Sequence, residues 1–224
     1  MWLSNSSIGR KVVMSVTGIA LVLFLTFHML MNLVALFSAE GYNTVCEFLG
    51  TNWYALIGTL ALAALFVIHI VYAFWLTMLN RAARGNERYA VSVKPKTVEW
   101  ASQNMLALGV IVILGLLLHL FNFWYNMMFA ELIGNPMMGG LEATDGYGYI
   151  EQTFSNPVFF VLYIVWLCAL WFHLTHGFWS AMQTLGWNNT IWINRWKCIS
   201  NIYSTIIVLG FMLVAVVFFV KNLF

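Results

Sequence analysis

The sequence predicts an all-α membrane protein: one domain, residues 1–224, folded as a bundle of five transmembrane helices. Three observations lead there. Of the 224 residues, 62% are hydrophobic and only 8% charged, against about 25% charged in a soluble domain. Uncharged runs cover residues 12–39, 48–80, 100–130, 152–194 and 199–220, each longer than the roughly 20 residues that cross a bilayer as helix. The runs are continuously apolar, whereas barrel strands would alternate and come in even number. A water-soluble globule is excluded, and too little chain lies outside the runs for a second domain.

The charges and breakers at the ends of the runs place the helices at 11–37, 54–81, 99–128, 156–185 and 198–221. The first opens after Arg10 and Lys11; it is too long for a signal-peptide core and has no convincing small-residue cleavage site. The second closes at Arg81, the third at Glu131 and the fourth at Gly186, while the fifth follows Arg195 and Lys197. With the N-terminus in the cytoplasm, Arg10, Lys11, Arg81, Arg84, Arg88, Lys94, Lys96, Arg195 and Lys197 all lie inside. Only Lys221 then lies outside, with the C-terminus. This is a strong positive-inside signal. Acidic residues show the reverse bias, Glu40, Glu47, Glu131, Glu142, Asp145 and Glu151 falling outside and Glu87 and Glu99 inside. The longest connection, 129–155, carries Gly139, Gly140, Gly146 and Gly148 and is expected to form a partly ordered cap.

Cys46 is expected in a loop, Cys168 inside a span and Cys198 at the start of one, which provides neither a disulfide framework nor a CxxC motif. The net charge of +2 is scattered through the connections and implies no nucleic-acid partner. The basic, aromatic connections RAARGNERYAVSVKPK and GWNNTIWINRWK suit either anchoring among lipid headgroups or docking of a soluble partner.

All five histidines, His28, His69, His119, His173 and His176, fall inside predicted spans. An ionisable side chain is costly in lipid and normally faces a bundle interior with a partner. His28, His69 and His119 each precede the charge at the exit end of their own helix by 12 residues. Because exit ends alternate between sides, His28 and His119 fall in an outer layer and His69 and His173 in an inner one. Counted from the cytoplasmic charges the layers differ by about 9 Å. Two imidazoles per layer, from two different helices, is the arrangement that bis-imidazole haem ligation requires. A bundle whose first four helices enclose two haem b groups is therefore expected.

Zinc would want three or four ligands in one layer. His176 shares a face with His173 but lies one turn closer to the cytoplasm, so it is expected to line the pocket, bond a propionate or replace His173 as ligand. Gly18, Gly58 and Gly109 precede His28, His69 and His119 by ten or eleven residues. Each could admit a macrocycle held by the other helices, or could simply serve helix packing. The fourth helix has Tyr163 at the corresponding position.

The order of these features resembles the two-haem, five-helix cytochrome b subunit of succinate:quinone oxidoreductases, the fumarate reductases and succinate dehydrogenases. The resemblance spans the chain and rests on SSIGRKVVMSVTG, FHMLMN, IHIVYAFW, LHLFNF, HLTHGFW and TLGW. It implies that His28 and His119 hold an outer haem iron and His69 and His173 an inner one. It further implies an anchor in a prokaryotic cytoplasmic membrane for a cytoplasmic flavoprotein subunit and an iron-sulfur subunit. Its membrane substrate is then quinone or quinol, menaquinone in particular, and a dimer of the complex is among the assemblies open to it. Two departures stand out: Trp171 occupies the position where some members carry a proton-path glutamate, and Thr184 the position of a lysine near the inner propionates.

Quinone chemistry exchanges protons, which makes Glu47 and Glu40, with Asn32 one turn beyond His28, the candidates for a quinone site. They also read as solvated loop acids and a helix-ending asparagine. The chain contains no dinucleotide fingerprint and no iron-sulfur cysteine set, so dicarboxylate chemistry would belong to its partners. Rival readings are a stand-alone dihaem ferrireductase-like cytochrome, a hydrogenase or formate dehydrogenase cytochrome, and a haem-free anchor or transporter.

Overall fold

The computed structural model describes residues 6–50, 52–84 and 99–224; Glu87, Arg88, Lys94 and Lys96 lie outside them. Among the described residues the chain is helical with no strand. Five helices are long and apolar enough to cross a bilayer: Ser7–Leu36, Trp53–Ala83, Met105–Leu132, Pro157–Thr184 and Trp192–Lys221. These are the first to fifth spans below, and they are what an integral membrane protein requires.

Their starts follow from local chemistry. Ser6 Oγ accepts from Gly9 N at 2.9 Å and so caps the first span. Asn156 Oδ1 accepts from Val158 N at 2.9 Å and Pro157 takes the first helical position of the fourth. The fifth starts at Trp192, six residues before the expected 198, because Asn189 Oδ1 accepts from Ile191 N and Trp192 N at 2.9 and 2.8 Å. Arg195 and Lys197 thus ride on the helix: the Arg195 guanidinium lies 5.0 Å from the Trp192 ring and the Lys197 ammonium 4.7 Å from Trp179.

The third span departs most from a uniform rod. A single turn, Trp100–Gln103, is offset from it at Asn104, whose φ of −109° and ψ of 12° are not helical. From Leu120, the residue after His119, to Phe129 the coil widens to π geometry. Asn126 Nδ2 donates to Phe121 O and Asn122 O, both at 3.1 Å, satisfying carbonyls where the ladder shifts register.

The fifth span packs along the fourth, the first lies against both, and the third packs on the fourth. The second span leans on the first and scarcely meets the third. A third of the apolar window is buried in the fourth and fifth spans, none in the second. Helix association in lipid gains little from the hydrophobic effect and rests on close packing and hydrogen bonds. The second span therefore depends on whatever joins it to the bundle interior.

At the end away from the N-terminus both connections are ordered. Residues Ala39–Gly50 form a helix, so Cys46 is helical rather than in a loop. Gly146–Ser155 form another, capped by Asp145 through Gly148 N at 3.0 Å. Asn43 clamps the two, donating to Asp145 Oδ1 at 2.8 Å and accepting from Tyr147 N at 2.9 Å. Lys221 ties the fifth span to this cap through Glu151 at 2.9 Å and the Tyr147 hydroxyl at 3.0 Å. Beneath it, Tyr42, Ile150, Phe154, Tyr163, Val214 and Phe218 are buried together.

Candidate functional site

Four histidines from four spans meet in two pairs. The His28 and His119 ring centres are 5.8 Å apart with planes crossing at 82°. Those of His69 and His173 are 6.4 Å apart, crossing at 65°. The structure thus brings together, two by two, the four residues that the sequence sorted into layers. All four are half-buried.

The two levels are further apart than the charges suggest. A Cβ at Gly18 would lie 3.3 Å from His69 Cε1, and one at Gly109 would lie 4.0 Å from His173 Cε1. Each glycine is ten residues before the other pair's histidine on its own helix, which is about 15 Å of rise between backbone positions. The rise between backbone positions thus exceeds the value of about 9 Å counted from charges, which helix tilt alters by several ångströms. Gly58, by contrast, has nothing within 4 Å of its would-be Cβ.

Neutral imidazoles suit a metal that already has other ligands. Iron bonded by two imidazoles at about 2 Å on opposite faces separates their ring centres by about 6 Å, close to both observed spacings. Among the described residues no group of three or more His, Cys, Asp and Glu could hold a metal ion. A closed zinc site is therefore not present there, whereas a macrocycle needs only two axial donors. Among the described residues His173 Nδ1 is buried without a hydrogen-bond partner, an orphaned polar atom of the kind that calls for a functional explanation. A glycine backbone lies beside each inner ring, Gly18 at His69 and Gly109 at His173. On these counts the residues fit haem.

His176 is engaged elsewhere. Its Nδ1 contacts Glu99 Oε2 at 3.4 Å and its ring stands edge-on to Trp179 at 5.0 Å. Glu99 also takes Lys197 Nζ at 2.8 Å, so a carboxylate before the third span links the fourth and fifth. Burial alone would raise the Glu99 carboxyl, but the bonds and charges of Lys197 and His176 outweigh it and hold it below the usual carboxylate range.

Of the quinone candidates, Asn32 sits beside the outer pair. Its Nδ2 donates to His28 O at 2.8 Å and its Oδ1 accepts from the Tyr42 hydroxyl at 3.1 Å. Burial holds the Tyr42 phenol above its usual range, so it stays a donor. Glu40 and Glu47 are exposed on the helix Ala39–Gly50, where they line a cavity of about 620 Å³ with Asn43, Met137 and Glu142. The structure does not bring either carboxylate to the histidine rings.

Sequence reasoning missed Thr17, Tyr42 and Trp166. Thr17 Oγ1 lies 3.2 Å from His69 Nδ1; Trp166 packs 5.7 Å from His119 and donates from Nε1 to Val112 O at 3.0 Å. The available signal for Thr17 was a hydroxyl next to Gly18, although Ser15 and Thr26 on the same helix offered hydroxyls too. Tyr163, which broke the glycine pattern, stands edge-on to His119 at 6.3 Å and accepts from Asn122 at 3.4 Å. No family model, curated protein or solved structure matches this chain.

Proposed function

We propose that this chain is the dihaem cytochrome b anchor of a quinol:fumarate reductase or succinate:quinone oxidoreductase, passing electrons between membrane quinone and a cytoplasmic iron-sulfur subunit. The observation that carries the reading is the pairing of four intramembrane imidazoles at 5.8 and 6.4 Å. His28 and His119 would hold the outer haem and His69 and His173 the inner one. Haem, when bound, supplies one-electron chemistry at a potential set by its ligands and surroundings.

The protein's own residues supply the rest. Five apolar spans exclude water from the imidazoles and keep them neutral, as metal ligation needs. Around the outer pair, Phe24, Phe123, Tyr163, Trp166 and Phe211 close the pocket. Asn32 and the protonated Tyr42 offer hydrogen bonds beside it, and the exposed Glu40 and Glu47 can exchange quinol protons with solvent. On the opposite face, exposed Trp187 and Trp192 with Arg195 and Lys197 form the end at which the N-terminus lies. The charge asymmetry favours that end as the cytoplasmic one, and the resemblance implies a prokaryotic inner membrane with flavoprotein and iron-sulfur subunits docking there.

Isolation from its native membrane in mild detergent tests this. The expected result is copurification of a flavoprotein and an iron-sulfur protein, with two haems per chain by pyridine haemochrome. A chain with two haems and no partners would instead be a stand-alone ferrireductase-like cytochrome. One with well under one haem would be a haem-free anchor or transporter.

A further inference from the structure

The first span touches the inner histidine pair without contributing a ligand to it, and it does so with a hydroxyl. Thr17 is 5% exposed. Its Oγ1 donates to Val13 O at 2.9 Å, with Met14 O at 3.1 Å sharing the proton, and lies 3.2 Å from His69 Nδ1. A hydroxyl has one proton, and carbonyl oxygens can only accept it. With that proton on the helix backbone, the oxygen faces His69 as an acceptor and Nδ1 carries the hydrogen. The lone pair of the neutral ring is then on Nε2.

Gly18 completes the arrangement. A side chain there would begin 3.3 Å from His69 Cε1 and 3.8 Å from Nδ1 and would press the ring by a few tenths of an ångström, so glycine leaves it undisturbed beside Thr17. Among the described residues the opposing ligand has no such fixture, since His173 Nδ1 is buried there without a hydrogen-bond partner.

We propose that Thr17 is the positioning residue of the inner centre, fixing His69 as its Nδ1–H tautomer and aiming Nε2 at the metal. The proposal rests on the reading of His69 as a haem ligand and concerns how that ligand is tuned. A bond accepted from Nδ1–H raises the basicity of the ligating nitrogen. A more basic ligand favours oxidised iron and lowers the potential of that centre relative to one whose ligand lacks the bond.

Thr17→Val removes the acceptor and keeps the branched shape, while Thr17→Ser restores the hydroxyl. Both are made in the full chain within its complex and followed by optical redox titration. For Thr17→Val the inner component shifts upward by about a fivefold change in its oxidised-to-reduced ratio at fixed potential, or about 40 mV at 59 mV per tenfold. The outer component does not move, and Thr17→Ser behaves as wild type. Loss of the inner haem alone in Thr17→Val with retention in Thr17→Ser supports the same role. Two haems at wild-type potentials in Thr17→Val, or a serine variant as impaired as the valine one, overturns the proposal alone. A wild-type chain without haem overturns it together with the functional reading.

Discussion

Around His28 and His119 the neighbours are rings. Phe24 stacks on His28 at 5.3 Å, and Phe123 and Trp166 tilt against His119 at 5.1 and 5.7 Å. Around His69 and His173, among the described residues, neither imidazole meets an aromatic ring other than its partner's. Threonine and glycine stand there instead. The outer pair is held by packed surfaces that resist displacement in every direction. Beside the inner pair stand one hydroxyl contact, from Thr17, and the backbones of Gly18 and Gly109. A pair of facing imidazoles is thus reached once against aromatic rings and once against threonine and glycine, and the two solutions fail differently.

Removing ligands gives the largest effect and tests whether the pairs are independent. His28→Ala or His119→Ala is expected to abolish one spectral component and half of the haem while leaving the other component in place. His69→Ala or His173→Ala should do the converse, read by pyridine haemochrome and redox titration. Variants within one pair should match each other and differ from the other pair. If His176→Ala loses a haem and His173→Ala keeps both, the fourth-span assignment is wrong, and the Glu99 contact of His176 is then a feature of the ligand itself.

Adding single methyl groups sharpens the comparison. At Gly115 a Cβ would overlap the Trp166 indole, whose Nε1 bond to Val112 O fixes it against His119. At Gly18 the added atom meets only the edge of His69 at 3.3 Å, and at Gly58 it meets nothing within 4 Å. Overpacking against a fixed ring costs about 1–3 kcal/mol, while glycine to alanine in an unobstructed helix gains up to about 1 kcal/mol. The expected order of thermal stability in detergent is Gly58→Ala above wild type, Gly18→Ala slightly below it and Gly115→Ala lowest. The outer spectral component should weaken only in Gly115→Ala and the inner one only in Gly18→Ala. Equal losses at Gly18 and Gly58 would show that the inner ring does not depend on that gap.

How much of this was legible in the sequence follows from which quantities a linear chain carries. Imidazoles are rare and costly in lipid, so five of them inside spans, three at a repeated 12-residue offset from exit charges, pointed to pairing before any coordinates. The partners of Thr17 and Trp166 were not legible, because they depend on helix rotation about the axis, which a uniformly apolar span does not encode. The second span shows this best: no part of its apolar window is buried, so nothing in its pattern distinguishes the face bearing His69 from the rest. The start of the fifth span was misplaced because Arg195 and Lys197 read as ends of an apolar run, whereas the Asn189 cap that starts the helix lies before them. The helix Ala39–Gly50 was hidden because its mixture of Glu40, Asn43 and Glu47 with apolar residues matches an outer loop as well as a short helix.

The smallest expected effect concerns the link between the inner pair's surroundings and the fifth span. Glu99 is half-buried, with its side chain 38% exposed, and its carboxyl is held below the usual range by Lys197 and His176. A carboxyl whose pKa is lower in the folded state stabilises the fold above the unfolded value of about 4.3, and that contribution is lost as pH falls through the lowered value. Exposure and salt screening limit it to about 1 kcal/mol or less. Glu99→Gln should therefore lower the thermal midpoint slightly at pH 7, with the offset from wild type shrinking as the pH is taken below the carboxylate range. Because the outer pair has no contact with Glu99 among the interactions described, its spectral component should be unchanged in the variant at either pH. An offset that stays constant over that range would mean that Glu99 acts by shape, not charge. The Lys197 ammonium over the Trp179 ring at 4.7 Å and the Ser200 hydroxyl donating to Thr175 O at 2.7 Å would then still join the fourth and fifth spans at this end.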